Sequence, residues 1–267
     1  MIGYVKEKET NTKTERLKNF ILAIILPVLL LLLWEWNVFK GVLNGNVGPA
    51  PTTLWNTFLG LVTSGKLLEG LAVSFKRVLI GFLIASFLGI GIGFLMGLFL
   101  PFQKAMSSLV NILRPIPTIA LVPIFIIVLG VGEATNISII MIGAVWSILL
   151  NTTAGVMSVD RKLMELAYVY RLPKRDIIFR IVLPSAMYSI ITGLRLGIAS
   201  AWMSVVAAEM IGATSGIGYM IMFAKSLAQA ANMYVLVIVI GVIGFLIDKI
   251  LQFFQNQVRR KFCGILN

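Results

Sequence analysis

The sequence predicts an all-α polytopic membrane protein with about six transmembrane helices, on three observations. Of 267 residues, 58% are apolar and 13% charged, about half the roughly 25% charge of a soluble domain. Mean hydropathy is +0.95. Apolar runs long enough to span a bilayer recur along the chain, separated by segments that hold most of the charge. An ordinary water-soluble enzyme is excluded, and so is disorder, which requires low hydrophobicity. There is no histidine, hence no histidine–metal site and no histidine base. The single cysteine, Cys263, cannot form an internal disulfide. The net charge of +12 fits basic cytoplasmic loops better than nucleic-acid binding.

Residues 1–19 read as a cytoplasmic arm with Lys6, Lys8, Lys13, Arg16 and Lys18. A transmembrane domain follows at 20–255. Span 1, Phe20–Trp36, is too long for a signal peptide and lacks a cleavage pattern after it. Trp34 and Trp36 suit an interfacial anchor, and Pro27 a tolerated kink. Residues 37–77 are less apolar, with a turn at Gly48-Pro49-Ala50-Pro51 and an amphipathic helix over Thr52–Thr63. Span 2 is Val78–Leu100. Its small residues Gly81, Ala85, Gly89, Gly93 and Gly97 recur every four positions, a seam for close helix packing within or between subunits. Pro101 closes that span, and a short loop with Lys104 and Arg114 leads to span 3, Ile116–Val131. Pro115, Pro117 and Pro123 bend the start of span 3, as a gate hinge or as a static kink. Span 4 is Ile137–Gly155, span 5 Ala186–Ile211 and span 6 Tyr234–Phe254, with a Gly/Ser-containing connection at 212–232 and a basic tail at 256–267.

Six spans put both termini on one side. Seventeen basic residues fall in the segments assigned inside, against five outside: Lys40, Lys66, Lys76, Arg77 and Lys225. Both termini are therefore expected in the cytoplasm.

Asp160–Pro184 is too charged to cross lipid. Asp160 suits a helix N-cap, and Leu163, Leu166, Ala167 and Tyr170 share a face at helical spacing. Pro173 falls at the expected helix end, and a second amphipathic turn runs from Asp176 to Ile181. Two short helices here suit either insertion into a cytosolic partner or a position in the lipid interface.

This segment resembles the EAA loop of ABC-importer permeases, the membrane subunits of binding-protein-dependent transport. Glu165, Ala167, Ile181, Leu183 and Pro184 are in register with the family pattern. Leu166 replaces an alanine, and Arg171 stands where the family has a turn-forming glycine. Gly48-Pro49-Ala50-Pro51, Arg114-Pro115-Ile116-Pro117, Leu121-Val122-Pro123, Leu149-Leu150-Asn151-Thr152, Gly193-Leu194-Arg195 and Ala207-Ala208-Glu209-Met210 resemble the subfamily for aliphatic sulfonates, taurine, nitrate, bicarbonate and some vitamin precursors. The resemblance implies a type I ABC importer permease fold and a non-catalytic permease subunit in the bacterial cell membrane. It implies a second copy of itself, two copies of an ATP-binding subunit that holds ATP and Mg, and an external substrate-binding protein. No cofactor is expected on this chain, which lacks a phosphate-binding Gly-x-x-x-x-Gly-Lys motif. The most favoured cargo is a small anion such as an aliphatic sulfonate, taurine or nitrate, with a thiamine-pyrimidine or riboflavin type of precursor as the alternative. A secondary transporter or channel is the rival class, against which stands the lack of a visible internal repeat. A membrane enzyme is a third.

The resemblance implies that Glu165, Ala167, Tyr170, Arg171 and Leu172 form the contact with the ATP-binding subunit. Polar groups within spans mark further candidates. Arg195 is read either as an attraction for an anion on the pathway or as an arginine that snorkels or caps a neighbouring helix. Trp146, Ser147, Asn151 and Thr152, with Ser200, Trp202 and Ser204, either line a polar cavity or bond between helices. Glu209 suits structural pairing or contact with the binding protein. Gly216 and Gly218, in Thr214-Ser215-Gly216-Ile217-Gly218, suit a re-entrant outer gate or an ordinary turn.

Overall fold

The computed structural model describes residue 25, residues 29–41 and residues 48–262. The arm at 1–19, most of the first half of span 1 and Cys263 lie outside the described residues. Every element described is a helix. In chain order these are α1 (Leu29–Phe39), α2 (Pro51–Thr63), α3 (Lys66–Leu98), α4 (Leu100–Leu113), α5 (Thr118–Leu129), α6 (Glu133–Met157) and α7 (Arg161–Val169). A short α8 (Lys174–Asp176) continues through a π-helical segment, Ile177–Val182, into α9 (Leu183–Gly212), and α10 (Ile217–Ser226) and α11 (Ala230–Phe262) complete the chain.

Among the described residues, four helices are long and apolar enough to cross a membrane: α3, α6, the continuous Lys174–Gly212 and α11. α4 and α5 pass that test as a pair bent by 96°. Where they are described, the six expected apolar segments are helical, but they are not six straight spans. The expected loop after Pro101 is instead α4. Phe99 is extended (φ −119°, ψ 102°), and Pro101 stands in the first turn of the new helix, where its missing N–H is harmless. The sharp bend falls at Pro115–Pro117, whereas Pro123 lies inside α5. Span 2 also begins earlier than expected, at Lys66. Its first three turns carry Lys66, Glu69, Lys76 and Arg77, which lower the hydropathy without breaking the helix.

α6 is the axis of the bundle. It runs parallel to α3 and antiparallel to α9, and the small-residue seam is the reason for the first contact. A Cβ on Gly81 would lie 2.8 Å from the Ile140 Cβ, on Gly89 2.9 Å from the Ile148 Cβ, and on Gly93 2.7 Å from the Thr152 Cβ. The seam therefore packs within one subunit. On the opposite side of α6, Gly193 and Gly197 of α9 receive the backbone and side chain of Ile148. Ile148 is fully buried between the two flanking helices. In lipid, where water exclusion does not drive association, this close fit supplies dispersion and small-residue packing instead. α11 lies along α9, with the Trp202 indole N–H donating to the Ile240 carbonyl (3.1 Å). α11 ends at the same end of the bundle as the Asp160–Pro184 loop.

Candidate functional site

Two features combine chemistry with geometry: the charged loop at one end of α9 and a buried polar cluster at the other.

The loop begins as expected. The Asp160 carboxylate caps α7, accepting from the Lys162 backbone N–H at 2.9 Å. Arg171 then adopts φ +52°, the left-handed conformation that glycine takes freely. Its amide donates to the Tyr168 carbonyl, and the Leu172 amide to the Ala167 carbonyl, both at 3.0 Å. These two bonds close α7 as a Schellman motif with an arginine in the glycine position. Glu165, Tyr170, Arg171 and Leu172 are exposed, and so are Leu166, Tyr168 and Val169. Ala167 is turned inward at 2% exposure and packs with Val156, Ile177, Val182 and Ala186. It seats α7 against the bundle while the other four present a surface.

The expected second amphipathic turn is not a separate helix. It forms the π-helical start of the 39-residue Lys174–Gly212 helix. Pro184 explains the π geometry. Its ring removes one N–H and would clash with the carbonyl four residues back, and the Leu183 amide instead reaches back five residues to the Ile178 carbonyl. The loop and the membrane helix therefore share one backbone.

At the far end of α9, Glu209 is wholly buried. Its carboxylate accepts from Arg77 Nη1 (2.8 Å), from the Ser74 hydroxyl (2.8 Å) and from the Gly218 amide at the start of α10 (3.0 Å). Arg77, 2% exposed, spends its remaining donors on Glu133 at the start of α6, through Nε at 3.0 Å, and on the Ser215 carbonyl (2.7 Å) and hydroxyl (3.0 Å). The Ser74 hydroxyl also accepts from the Ile217 amide at 3.0 Å. All five guanidinium N–H groups are used. Gly216 (φ +101°) and Gly218 are required here, because a Cβ on either would collide with Glu209. The structure thus brings together Glu209, Gly216 and Gly218, with the Glu209 carboxylate paired to Arg77. The expected loop at 212–232 contains α10, whose apolar run Ile217–Ala224 was masked by the surrounding glycines. Arg77 and Ser74 are site residues that sequence reasoning misses: Arg77 counts there among the outer-segment charges, because Lys66, Glu69 and Lys76 make this start of α3 read as a polar segment.

Arg195 is held by Asp248 of α11, through Nε at 3.0 Å and Nη2 at 2.8 Å, and by Gln255 Oε1 at 2.8 Å. Its charge is therefore paired within the subunit. Among the other pathway candidates, Trp202 and Ser204 are buried between helices. Ser147 and Asn151 lie against Gly193 of α9. Ser200 bonds the Leu196 carbonyl of its own helix at 3.0 Å. Trp146 borders an apolar cavity of about 400 Å³ beneath the α4–α5 elbow. These residues do not converge on one cavity in the single chain.

An all-helical bundle with a bent helix pair and a protruding charged loop is the architecture of a type I ABC importer permease. The chain belongs to the family of binding-protein-dependent transport system inner membrane components, which matches residues 89–262. It is 38% identical to an ABC transporter permease protein of Methanocaldococcus jannaschii, over 90% of this chain and 91% of that one. It is 32% identical to the protein named aliphatic sulfonates transport permease SsuC of Bacillus subtilis, over 94% and 93%. It is 29% identical to the nitrate import permease NrtB of Synechococcus elongatus, over 92% of each. The fold matches a chain of the inward-facing MetNI methionine ABC transporter with a TM-score of 0.65 at 16% identity, covering 73% of this chain and 97% of that one. As a permease of an ABC importer it is a non-catalytic inner-membrane subunit that works with an ATP-binding subunit and a substrate-binding protein. This membership sets aside the secondary transporter, the channel and the membrane enzyme.

Proposed function

We propose that two copies of this chain form the translocation pathway for a small anion, of the aliphatic sulfonate, taurine or nitrate class, delivered by an external binding protein. Each copy engages one ATP-binding subunit through Glu165, Tyr170, Arg171 and Leu172, with Ala167 fixing the helix that carries them. ATP and Mg are held by that partner. Both termini and the Asp160–Pro184 loop face the cytoplasm, and the Glu209 end faces outward. The observation that carries the reading is the exposed apolar and charged face of α7, joined at Pro173 to a helix that crosses the whole bundle. Such a face is costly to leave in water and is suited to a protein cleft.

The anion class rests on the SsuC and NrtB relatives. The pairing of Arg195 with Asp248 leaves no free cation in α9 to select cargo, so selectivity is assigned to the binding protein. The test is co-purification and proteoliposome uptake. Tyr170→Ala with Leu172→Asp is expected to reduce recovery of the ATP-binding subunit by about tenfold or more, in line with the loss of interface anchors, while the permease still reaches the membrane. Undiminished ATP-dependent uptake by that variant would overturn the docking role. Calorimetry of the binding protein with taurine, an alkanesulfonate, nitrate and a vitamin precursor identifies the cargo.

A further inference from the structure

We propose that Arg77 is the positioning residue of the Glu209 end: its guanidinium docks α10 onto α3 and α9, and this end of the subunit opens by parting that contact, with Glu133 the arm that yields first. The docking itself rests on geometry alone. The direction of opening rests on the function proposed above.

Three observations support the inference. First, among the described residues, the side-chain hydrogen bonds that tie α10 to α3 and α9 all pass through one cluster. Gly218 donates to Glu209, Ile217 to Ser74, and the loop before them gives Arg77 both a carbonyl and a hydroxyl from Ser215. Second, the two carboxylates on Arg77 differ. Glu209 is fully buried, whereas the Glu133 side chain is 60% exposed. Glu133 can exchange Arg77 for water at little desolvation cost, but Glu209 would be left as a buried unpaired charge. Third, α10 forms one wall of an outer cavity of about 340 Å³, bordered also by Gly70, Val73 and Leu236. Movement of α10 away from Arg77 would widen that cavity.

The test measures thiol labelling in the assembled complex with its ATP-binding subunit, in a Cys263→Ser background. Ala224→Cys reports on α10 and Ala208→Cys on the α9 core; they replace residues 3% and 0% exposed. In Arg77→Gln, labelling at position 224 by a membrane-impermeant maleimide is expected to rise by about tenfold or more, as a local opening made easier by an unpaired Glu209. Position 208 should stay protected. Glu133→Gln should change labelling by no more than about twofold, as expected for an exposed partner. The charge-neutral pair Arg77→Gln with Glu209→Gln should label more slowly than Arg77→Gln alone. Should Arg77→Gln fail to assemble, Arg77→Lys serves. It keeps the charge but cannot reach Ser215 and both carboxylates together, so labelling at 224 should again rise. Protection of position 224 in both Arg77 variants would overturn the proposal, as would equal exposure of 208 and 224. These readings come from the resting complex, so they stand apart from the identity of the cargo. Addition of ATP then asks about direction: faster labelling at 224 in the otherwise unsubstituted chain is expected, and its absence removes the opening step.

Discussion

Arg171 shows how a single residue can keep a backbone shape while discarding the usual side chain. Its φ of +52° and the two bonds that close α7 reproduce what a glycine would provide. A non-glycine residue in this conformation costs roughly 1–2 kcal/mol, which the Schellman bonds and the Pro173 turn offset. Arg171→Gly is expected to raise stability by up to about 1 kcal/mol, and Arg171→Val to lower it by about 1–2 kcal/mol because a β-branched side chain fits this region worst. Thermal denaturation of the purified subunit in detergent checks both signs. A second case lies at Ala228 (φ +53°), which ends α10 in the same way, through Ala228 to Lys225 and Gln229 to Ala224. The family register marks the Arg171 position as a turn, whereas nothing in the residue type announces Ala228, which becomes visible in the hydrogen bonding.

Among the elements, the helix seams were the most legible part of the sequence and the polar clusters the least. The spacing of Gly81, Ala85, Gly89, Gly93 and Gly97 predicts a packing face, and α6 lies on it. Which helix would fill the seam was not legible, because a four-residue repeat describes a groove and not its occupant. Glycines on one helix should also respond oppositely according to their face. Gly93→Ala would force a Cβ against the Leu149 carbonyl and Thr152, at an overpacking cost of about 1–3 kcal/mol. Gly91→Ala meets nothing within 4 Å and should stabilise by up to about 1 kcal/mol through helix propensity. Ile148→Ala, emptying the space between α3 and α9, should cost about 2–5 kcal/mol. Denaturation midpoints of the three variants decide the matter. The Arg77 cluster escaped sequence reading for a different reason. Its members are spread over α3, α6, α9 and the loop before α10, and no local periodicity links residues more than a hundred positions apart.

At the scale of the molecule, α9 is tied at both ends. Arg195 and Asp248 join it to α11 toward the Asp160–Pro184 end, with Gln255 also bonding Thr192 at 2.8 Å, and Glu209 joins it to α3 and α10. The Arg195–Asp248 pair is partly exposed, and its loss through Asp248→Asn should cost about 1 kcal/mol in denaturation. A double-mutant cycle with Arg195→Gln should return most of that cost as interaction energy. The overall class and the helical Asp160–Pro184 loop were legible because composition and a contiguous motif report them directly. The broken α4–α5 span was not, because prolines mark a bend without giving its angle.

The evenly spaced notches of α3 carry an ambiguity of their own. Ile140, Ile148, Thr152 and Val156 fit Gly81, Gly89, Gly93 and Gly97 with the same offset throughout. A translation of four residues, roughly 6 Å, would bring most notches opposite an equivalent tooth again. Such a rack fixes distance and azimuth but leaves its phase degenerate. The contact between Arg77 and Glu133 occurs once along it, so that ion pair is an index mark that labels one setting without locking it.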